Sequence, residues 1–251
     1  MRRDVRRLAE FDSEYMLGRS WLVGIDEAGR GALAGPVVAG AVAVSDAFYK
    51  NAKFLETLAN LDDSKKLTEH SRKELYNHLE ELKAAGALDF EAGFASVEEI
   101  ERDNILSATQ TAMARACIAL NERLSLNLNP AGATATLFGE SALDLSLADV
   151  LIDGKPMKKF PFAHRAVVKG DASSLAVAAA SIVAKVSRDS FMEKLAEKYP
   201  RYGFEVHKGY GTAAHSQALL LFGASDAHRP SFLKKLRAKP LADSQQSLLF
   251  S

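Results

Sequence analysis

Adjacent acidic side chains follow a short apolar run near the start of this 251-residue chain. Residues 21–26 read WLVGID, and Glu27 comes directly after Asp26. Two carboxylates that are buried side by side repel each other, so a cation must offset that cost. A Mg²⁺ ion held by carboxylate oxygens is one answer. The alternative is a pair of exposed acids in a turn that Arg30 neutralises.

Two more acids stand at the ends of predicted elements. Asp153 ends the apolar run 148–153 (ADVLID), and Asp171 precedes a long helical segment. Taken singly, Asp153 could start a turn and Asp171 could cap the helix. Together with Asp26 and Glu27 they predict that strand ends converge on an oxygen-only site for two metal ions.

The glycines around the first acids resemble two phosphate-binding motifs without matching either. Gly24-x4-Gly29 has the spacing of the NTPase P-loop, but Arg30 and Gly31 stand where that motif needs Lys and Ser or Thr. The Gly29-x-Gly31-x-x-x-Gly35 pattern is one residue too long for a dinucleotide site, and a proline follows it. We therefore predict only a tight loop whose amides can approach a phosphate.

Two polar segments admit a binding and a structural interpretation. Residues 199–212 (YPRYGFEVHKGYGT) alternate aromatics with cations, which suits stacking on sugars or bases and holding phosphates, or simply capping the core. Residues 62–67 (DDSKKL) are typical of a solvated turn before a helix.

The elements that must position these residues follow from apolar periodicity. Strands are predicted at 21–26, 36–44, 88–95, 148–153 and 164–169. Helices are predicted at 68–85, from a capping box at 96–99, at 104–124, 173–198, 212–222 and 231–236. Three strands within the first hundred residues argue against simple strand–helix alternation, so a mixed sheet flanked by helices fits better. The small residues of 173–198 predict a helix that packs closely on that sheet.

Composition excludes several classes of protein. The chain is 47% hydrophobic and 25% charged, which suits a folded domain, and its single cysteine excludes a disulfide framework or a cysteine-based zinc site. The longest apolar run, 32–44, is too short to span a bilayer, and the basic N-terminus lacks the apolar stretch of a signal peptide, so we expect a cytoplasmic protein.

Charge is distributed unevenly along the chain. Residues 1–152 carry 16 basic and 24 acidic side chains, whereas residues 153–251 carry 16 and 8. The basic second half predicts a polyanion partner, unless these charges are scattered and merely solvating.

Five segments occur in one order that is similar to a known family. They are GIDEAGRGALAGPVV, DDSKKL, VLIDGK, VVKGDASS with AASIVAKVSRD, and HKGYGT. On these motifs the chain resembles bacterial ribonuclease HII, the type 2 ribonuclease H, from about Trp21 to Phe232. The segment 127–146 interrupts the similarity and is longer than usual.

The resemblance implies an α/β fold of the ribonuclease H type, a mixed five-stranded sheet flanked by helices with a C-terminal helical extension. It divides the chain into an N-terminal extension (1–20), a catalytic domain (21–200), a substrate-binding helical extension (201–238) and a flexible tail (239–251).

The resemblance also implies roles for particular residues. Asp26, Glu27, Asp153 and Asp171 match the catalytic carboxylates that bind metal. Gly29, Arg30 and Gly31 match a loop that reads the ribonucleotide 2′-hydroxyl through backbone atoms, and Tyr210 matches a tyrosine that stacks on the following deoxyribose. Ser64, Lys65 and Lys185 match polar positions near the substrate backbone.

The implied reaction is hydrolysis of RNA in RNA/DNA hybrids, including single ribonucleotides embedded in DNA. The cut would fall on the 5′ side of the ribonucleotide and leave a 3′-hydroxyl and a 5′-phosphate, with two Mg²⁺ or Mn²⁺ ions at the scissile phosphate. The implied roles are ribonucleotide removal and primer RNA processing. Two alternatives are a binding module that lost its chemistry, which should lack one of the acids, and another nuclease or recombinase of the same superfold, which should lack the glycine loop and the HKGY segment.

The last residues resemble a short docking peptide of bacterial replication proteins. In QSLLF, Gln246, Leu249 and Phe250 match positions that bind the sliding clamp, and such apolar anchors could enter a groove. We therefore expect the clamp as a further partner. The sequence gives no sign of oligomerisation, so a monomer is expected.

Overall fold

The computed structural model describes residues 5–16, 18–59, 61, 67–132 and 146–237 and contains a five-stranded mixed sheet. The strands are β1 (Trp21–Ala28), β2 (Val37–Ser45), β3 (Leu88–Ala95), β4 (Ala148–Asp153) and β5 (Arg165–Val167), in the spatial order β3-β2-β1-β4-β5. The pairs β1–β2 and β2–β3 are antiparallel, and the pairs β1–β4 and β4–β5 are parallel. The predicted mixed sheet is confirmed.

The helices flank this sheet. They are α1 (Val5–Tyr15), α2 (Asp46–Tyr49), α3 (Ala52–Thr57), α4 (Glu69–Ala84), α5 (Val97–Leu124), α6 (Leu175–Lys198), α7 (Phe204–His207), α8 (Ala213–Phe222) and α9 (Pro230–Arg237). The sequence did not predict α1, α2, α3 or α7. In the described part of the chain, no helix combines the length and the apolarity that crossing a membrane requires.

Two predicted boundaries near the site are wrong. The helix predicted from residue 173 begins at Leu175, because the Ser174 side chain caps it by accepting from the Val177 amide. The strand predicted over 164–169 is limited to Arg165–Val167, because Lys169 has a φ of +58° and cannot continue an extended strand.

Close packing between α6 and the sheet depends on residues without bulky side chains. A Cβ atom added at Gly24 would lie 2.2 Å from the Ala176 carbonyl carbon, and one at Gly40 would lie 2.3 Å from the Ala180 oxygen. The predicted small-residue face of α6 is therefore the face that contacts β1 and β2. On the other face of the sheet, α5 approaches Gly93 in the same way, with the Ala112 oxygen 2.1 Å from an added Cβ.

Helix α5 joins two segments that the sequence predicts separately. Ser96 and Glu99 form the predicted capping box, in which each side chain accepts from the other residue's amide. At Asn104 the backbone has a φ of +66°, and the Asn104 side chain accepts from the amides of Leu106 and Ser107. Asn104 therefore ends one helical segment and caps the next.

The N-terminal helix α1 is part of the core. Leu8 is fully buried in the core cluster that also contains the apolar residues of α6. Asp12 accepts from the Ala176 amide at 2.9 Å and from the Tyr49 hydroxyl at 2.8 Å, and burial raises the pKa of Asp12 to about 6. A carboxylate near a helix N-terminus is favourable, so α1 anchors the start of α6.

Candidate active site

Two neighbouring parallel strands place Asp26 beside Asp153. Ile25 pairs with Ile152, so the following residue of each strand is an acid at the same edge of the sheet. Asp26 shares a strand face with Gly24, the face that α6 covers. The Asp153 Oδ1 atom accepts from the Gly170 amide at 2.6 Å, which joins the end of β4 to the 3₁₀ turn Gly170–Ala172 that carries Asp171.

The four acids share one electrostatic environment. Burial raises the pKa of Asp26 well above its usual value, and the negative charges of Glu27, Asp153 and Asp171 raise it further. Burial also raises the pKa of Glu27, against the lowering effect of Arg30. The structure therefore brings together the acids that the sequence predicts would converge.

Local donors nevertheless contact Asp26 and Glu27. The Glu27 amide donates to Asp26 Oδ1 at 2.7 Å, and Arg30 Nη1 donates to Glu27 Oε1 at 2.9 Å. Over the residues that the structure describes, no three acidic, histidine or cysteine side chains come close enough to hold one metal ion. Arg30 thus neutralises Glu27 as the alternative interpretation expected, although both acids are largely buried.

The donor set fits a hard divalent cation. Asp26, Glu27, Asp153 and Asp171 offer only carboxylate oxygens, the ligands that Mg²⁺ and Mn²⁺ prefer. Burial raises the pKa of Asp26 most, and repulsion from Glu27, Asp153 and Asp171 adds to that increase. A divalent cation would offset this repulsion, as it does in metal sites generally.

One cleft of about 410 Å³ unites the acids with the predicted substrate-binding residues. Its lining consists of Asp26, Glu27, Ala28, Gly29, Arg30, Gly31, Arg72, Asp171, Ser181, Ile182, Lys185 and Tyr210. Asp26, Glu27 and Asp171 therefore face one space together with the glycine loop, Lys185 and Tyr210, whereas Asp153 is not part of this lining. The predicted site residues Ser64 and Lys65 and the tail residues Gln246, Leu249 and Phe250 lie outside the described residues.

The two glycines of the loop differ in the space around them, and only Gly29 requires the absence of a side chain. Gly29 has a φ of +90°, and an added Cβ would lie 2.0 Å from Arg188 Nε, so a side chain fits neither the backbone nor the space. Gly31 faces open space, because an added Cβ would meet nothing within 4 Å. The inner side of the loop is therefore packed and its outer side is open to the cleft.

Lys185 and Tyr210 line the same cleft. Lys185 Nζ donates to Asp189 Oδ1 at 2.5 Å and is 5.8 Å from the centre of the Tyr210 ring. Burial lowers the pKa of Lys185. Tyr202 and Phe204 from the same aromatic segment are buried and stacked on each other, so they cap the core as the alternative interpretation expected.

Three buried histidines support Tyr210 from behind. His215 Nδ1 donates to the Tyr210 carbonyl at 2.9 Å, so a neutral His215 must accept at Nε2, where His228 Nε2 lies 3.0 Å away. His228 Nδ1 accepts from the Ser225 amide, which leaves its Nε2 as the donor. The His207 ring stacks on His215 with centroids 4.4 Å apart. Burial lowers the pKa of His215 to about 4 and also lowers that of His228.

Sequence reasoning missed three arginines at this site. Arg72 lines the cleft, whereas Arg188 and Arg229 are fully buried behind the glycine loop. Arg188 belongs to the SRD end of a motif noted above, but nothing in the sequence showed that its side chain turns inward. Arg229 lies in no motif that the sequence analysis singled out.

Comparison with known proteins identifies the family. The family model for ribonuclease HII matches residues 23–235. The chain belongs to the ribonuclease HII family. A ribonuclease HII from Delftia acidovorans is 45% identical over 211 residues, which is 84% of this chain and 75% of the relative, and one from Clostridioides difficile is 40% identical over 90% of this chain and 75% of the relative.

Solved structures agree on the fold. The ribonuclease HII of a PCNA complex from Archaeoglobus fulgidus superposes with a TM-score of 0.61 at 22% identity, covering 90% of this chain and 99% of the other. A Bst ribonuclease HIII determined with Mn²⁺ gives 0.54 at 17% identity, covering 80% and 70%. These likenesses show a ribonuclease H-like fold. As a ribonuclease HII family member the chain is a metal-dependent endoribonuclease, as the resemblance implied.

Proposed function

We propose that this enzyme cleaves duplexes at single ribonucleotides embedded in DNA as well as at RNA runs in hybrids. The cut falls on the 5′ side of the ribonucleotide and leaves a 3′-hydroxyl and a 5′-phosphate. The observation that carries the proposal is the shared cleft, in which acids, the glycine loop, Lys185 and Tyr210 face one space. The corresponding cellular roles are ribonucleotide removal and primer RNA processing.

Each group in the cleft has a task in this proposal. Asp26, Glu27, Asp153 and Asp171 hold Mg²⁺ or Mn²⁺, which when bound would lower the pKa of the attacking water and stabilise the leaving 3′-oxygen. For that task Glu27 must exchange its contact with Arg30 for the ion.

Several groups that line the cleft orient the substrate. Amides of the Gly29–Gly31 loop hydrogen-bond the 2′-hydroxyl, the one group that marks a ribonucleotide in DNA. The Tyr210 ring stacks on the next deoxyribose and crowds against a second 2′-hydroxyl. Lys185, together with Ser64 and Lys65, holds the backbone of the substrate strand. Within this proposal, residues 201–238 form the substrate-binding extension of a catalytic domain spanning 21–200.

A cleavage assay tests the proposal. The substrate is an end-labelled duplex with one ribonucleotide, and the matched control is the same duplex in all-DNA form. We expect one cut 5′ of the ribonucleotide in Mg²⁺ or Mn²⁺ and none with a chelator. Cleavage of the all-DNA duplex, or a cut on the 3′ side, would contradict it.

Two variants assign the roles. Asp153→Asn should abolish cleavage while binding of the hybrid persists. Tyr210→Ala should lose the preference for the RNA–DNA junction, because stacking on the deoxyribose is removed. A Tyr210→Ala variant with an unchanged preference between one ribonucleotide and a run of them would refute the stacking role.

We also propose that the tail docks on the sliding clamp through Gln246, Leu249 and Phe250. The support is the similarity of QSLLF to clamp-binding peptides, and one structural neighbour is described as a PCNA complex. Pull-down by the clamp should capture the full chain and should be lost in a Leu249→Ala, Phe250→Ala double variant. Equal capture of the wild-type chain and the double variant would contradict the proposed docking.

A further inference from the structure

Arg229 reaches the glycine loop from 200 positions further along the chain. Its Nη1 atom donates to the Gly29 carbonyl at 2.8 Å and contacts the Arg30 carbonyl at 3.3 Å, and its Nε atom donates to the Gly35 carbonyl at 2.9 Å. The side chain is fully buried, and its guanidinium lies 5.2 Å from the centre of the Phe232 ring. The guanidinium of Arg229 therefore binds carbonyl groups at both ends of the loop, at Gly29 and at Gly35.

These hydrogen bonds determine the direction in which the loop amides point. No cis peptide bond occurs among the residues that the structure describes, and in a trans peptide the carbonyl of one residue and the amide of the next point in opposite directions. Because the carbonyls of Gly29 and Arg30 face Arg229 in the interior, the amides of Arg30 and Gly31 face the cleft. Among the backbone hydrogen bonds of the described residues, neither amide donates to a protein acceptor.

Burying the Arg229 guanidinium costs free energy, and stabilisation of the loop alone does not explain why the protein carries that cost. Burying a cation without an opposite charge beside it is unfavourable, even where carbonyl groups accept its hydrogen bonds. Burial, and then the charge of Arg188, lower the pKa of Arg229 to about 9. Arg229 Nη2 is buried without a hydrogen-bond partner in the described structure. An apolar residue would fill this space at less cost, but it could not orient two peptide planes.

We propose that Arg229 is a positioning residue for ribonucleotide recognition, which fixes the two peptide planes of the glycine loop so that the amides of Arg30 and Gly31 meet the 2′-hydroxyl. This inference deepens the proposed function and rests on it. A lysine keeps the charge but has no fork, so it cannot bond Gly35 and the Gly29–Arg30 carbonyls in the same geometry.

The test compares Arg229→Lys with a stability control. Binding is measured by fluorescence anisotropy, without divalent ions, to a duplex with one ribonucleotide and to the matched all-DNA duplex. We expect Arg229→Lys to lower the ribonucleotide preference about tenfold, as expected when one or two hydrogen bonds lose their geometry, while affinity for all-DNA duplex stays within about twofold. Leu79→Ala, at a buried core residue that does not line the cleft, should keep the wild-type ratio although it lowers stability.

Each outcome decides the matter. An Arg229→Lys protein that is folded and keeps the wild-type ratio would overturn the proposal. A wild-type protein without any ribonucleotide preference would overturn the proposed function itself, which is visible before any variant is made. If Arg229→Lys does not fold, Phe232→Leu takes its place, because it removes the ring beside the guanidinium and leaves Arg229 itself in the protein. This variant should also lower the ratio of affinities for the ribonucleotide duplex and the all-DNA duplex. An unchanged ratio in Phe232→Leu would refute the positioning role of Arg229.

Discussion

Replacing Gly24 by alanine should move Asp26 away from Asp171 without changing any of the four acidic residues. An added Cβ would lie 2.2 Å from the Ala176 carbonyl carbon and 2.4 Å from the Val177 amide nitrogen, both in the backbone of α6. No rotamer change can relieve a clash with backbone, so β1 and α6 must move apart. Gly24 lies two residues before Asp26, and Ala176 lies five residues after Asp171, so the movement is transmitted to the site.

The size of the effect follows from these distances. Ordinary contact begins at 3.4 Å, so the elements must separate by about 1.2 Å. Overpacking of this kind costs about 1–3 kcal/mol, which lowers the Tm of a chain of this size by roughly 2–12 °C. A displacement of ~1 Å at reacting groups lowers kcat by about 100-fold.

Gly93→Ala is the matched control. Its added Cβ would lie 2.1 Å from the Ala112 oxygen of α5, an equally severe clash on the opposite face of the sheet. Tm should fall comparably in both variants, measured by thermal unfolding. At a temperature where both are folded, kcat on the single-ribonucleotide duplex should fall about 100-fold only in Gly24→Ala. Equal kcat losses in the two variants, or an active Gly24→Ala, would refute the argument.

Three further predictions follow from the charges. The pKa of Asp26 is raised in the folded state, so the ionisation of Asp26 at neutral pH opposes folding. In the presence of a chelator, Asp26→Asn should therefore unfold at a higher urea concentration than wild type. The same variant should not cleave the substrate. In the same urea titration, Mg²⁺ at ten times its dissociation constant should raise the free energy of unfolding of wild type by about 1.4 kcal/mol. The increase should be smaller for Asp26→Asn. An equal increase in both proteins would show that the ion binds elsewhere. The pKa of His215 is lowered from 6.5 to about 4, so the unfolded form takes up a proton first as the pH falls. Stability should therefore fall by about 2 kcal/mol between pH 7 and pH 5, and by less in His215→Gln. A pH-independent urea midpoint would contradict this.

The sequence by itself determined the elements whose signals are local. The apolar runs that end in Asp26 and Asp153 are strands in the structure, and the Ser96–Glu99 capping box opens α5. Such features depend on neighbours a few positions away, so periodicity and capping chemistry predict them. The motifs shared with ribonuclease HII also identified the family before any coordinate was known.

Only the tertiary structure decided which distant residues meet. The parallel pairing of β1 with β4 sets Asp26 beside Asp153, the buried Asp12 caps α6, and Arg229 grips the glycine loop. A carboxylate at residue 12 or a guanidinium at residue 229 leaves no periodic signal, because the partners are backbone groups more than 150 positions away. Their contacts exist only once the sheet order and the face covered by α6 are set, and those depend on packing of the whole chain.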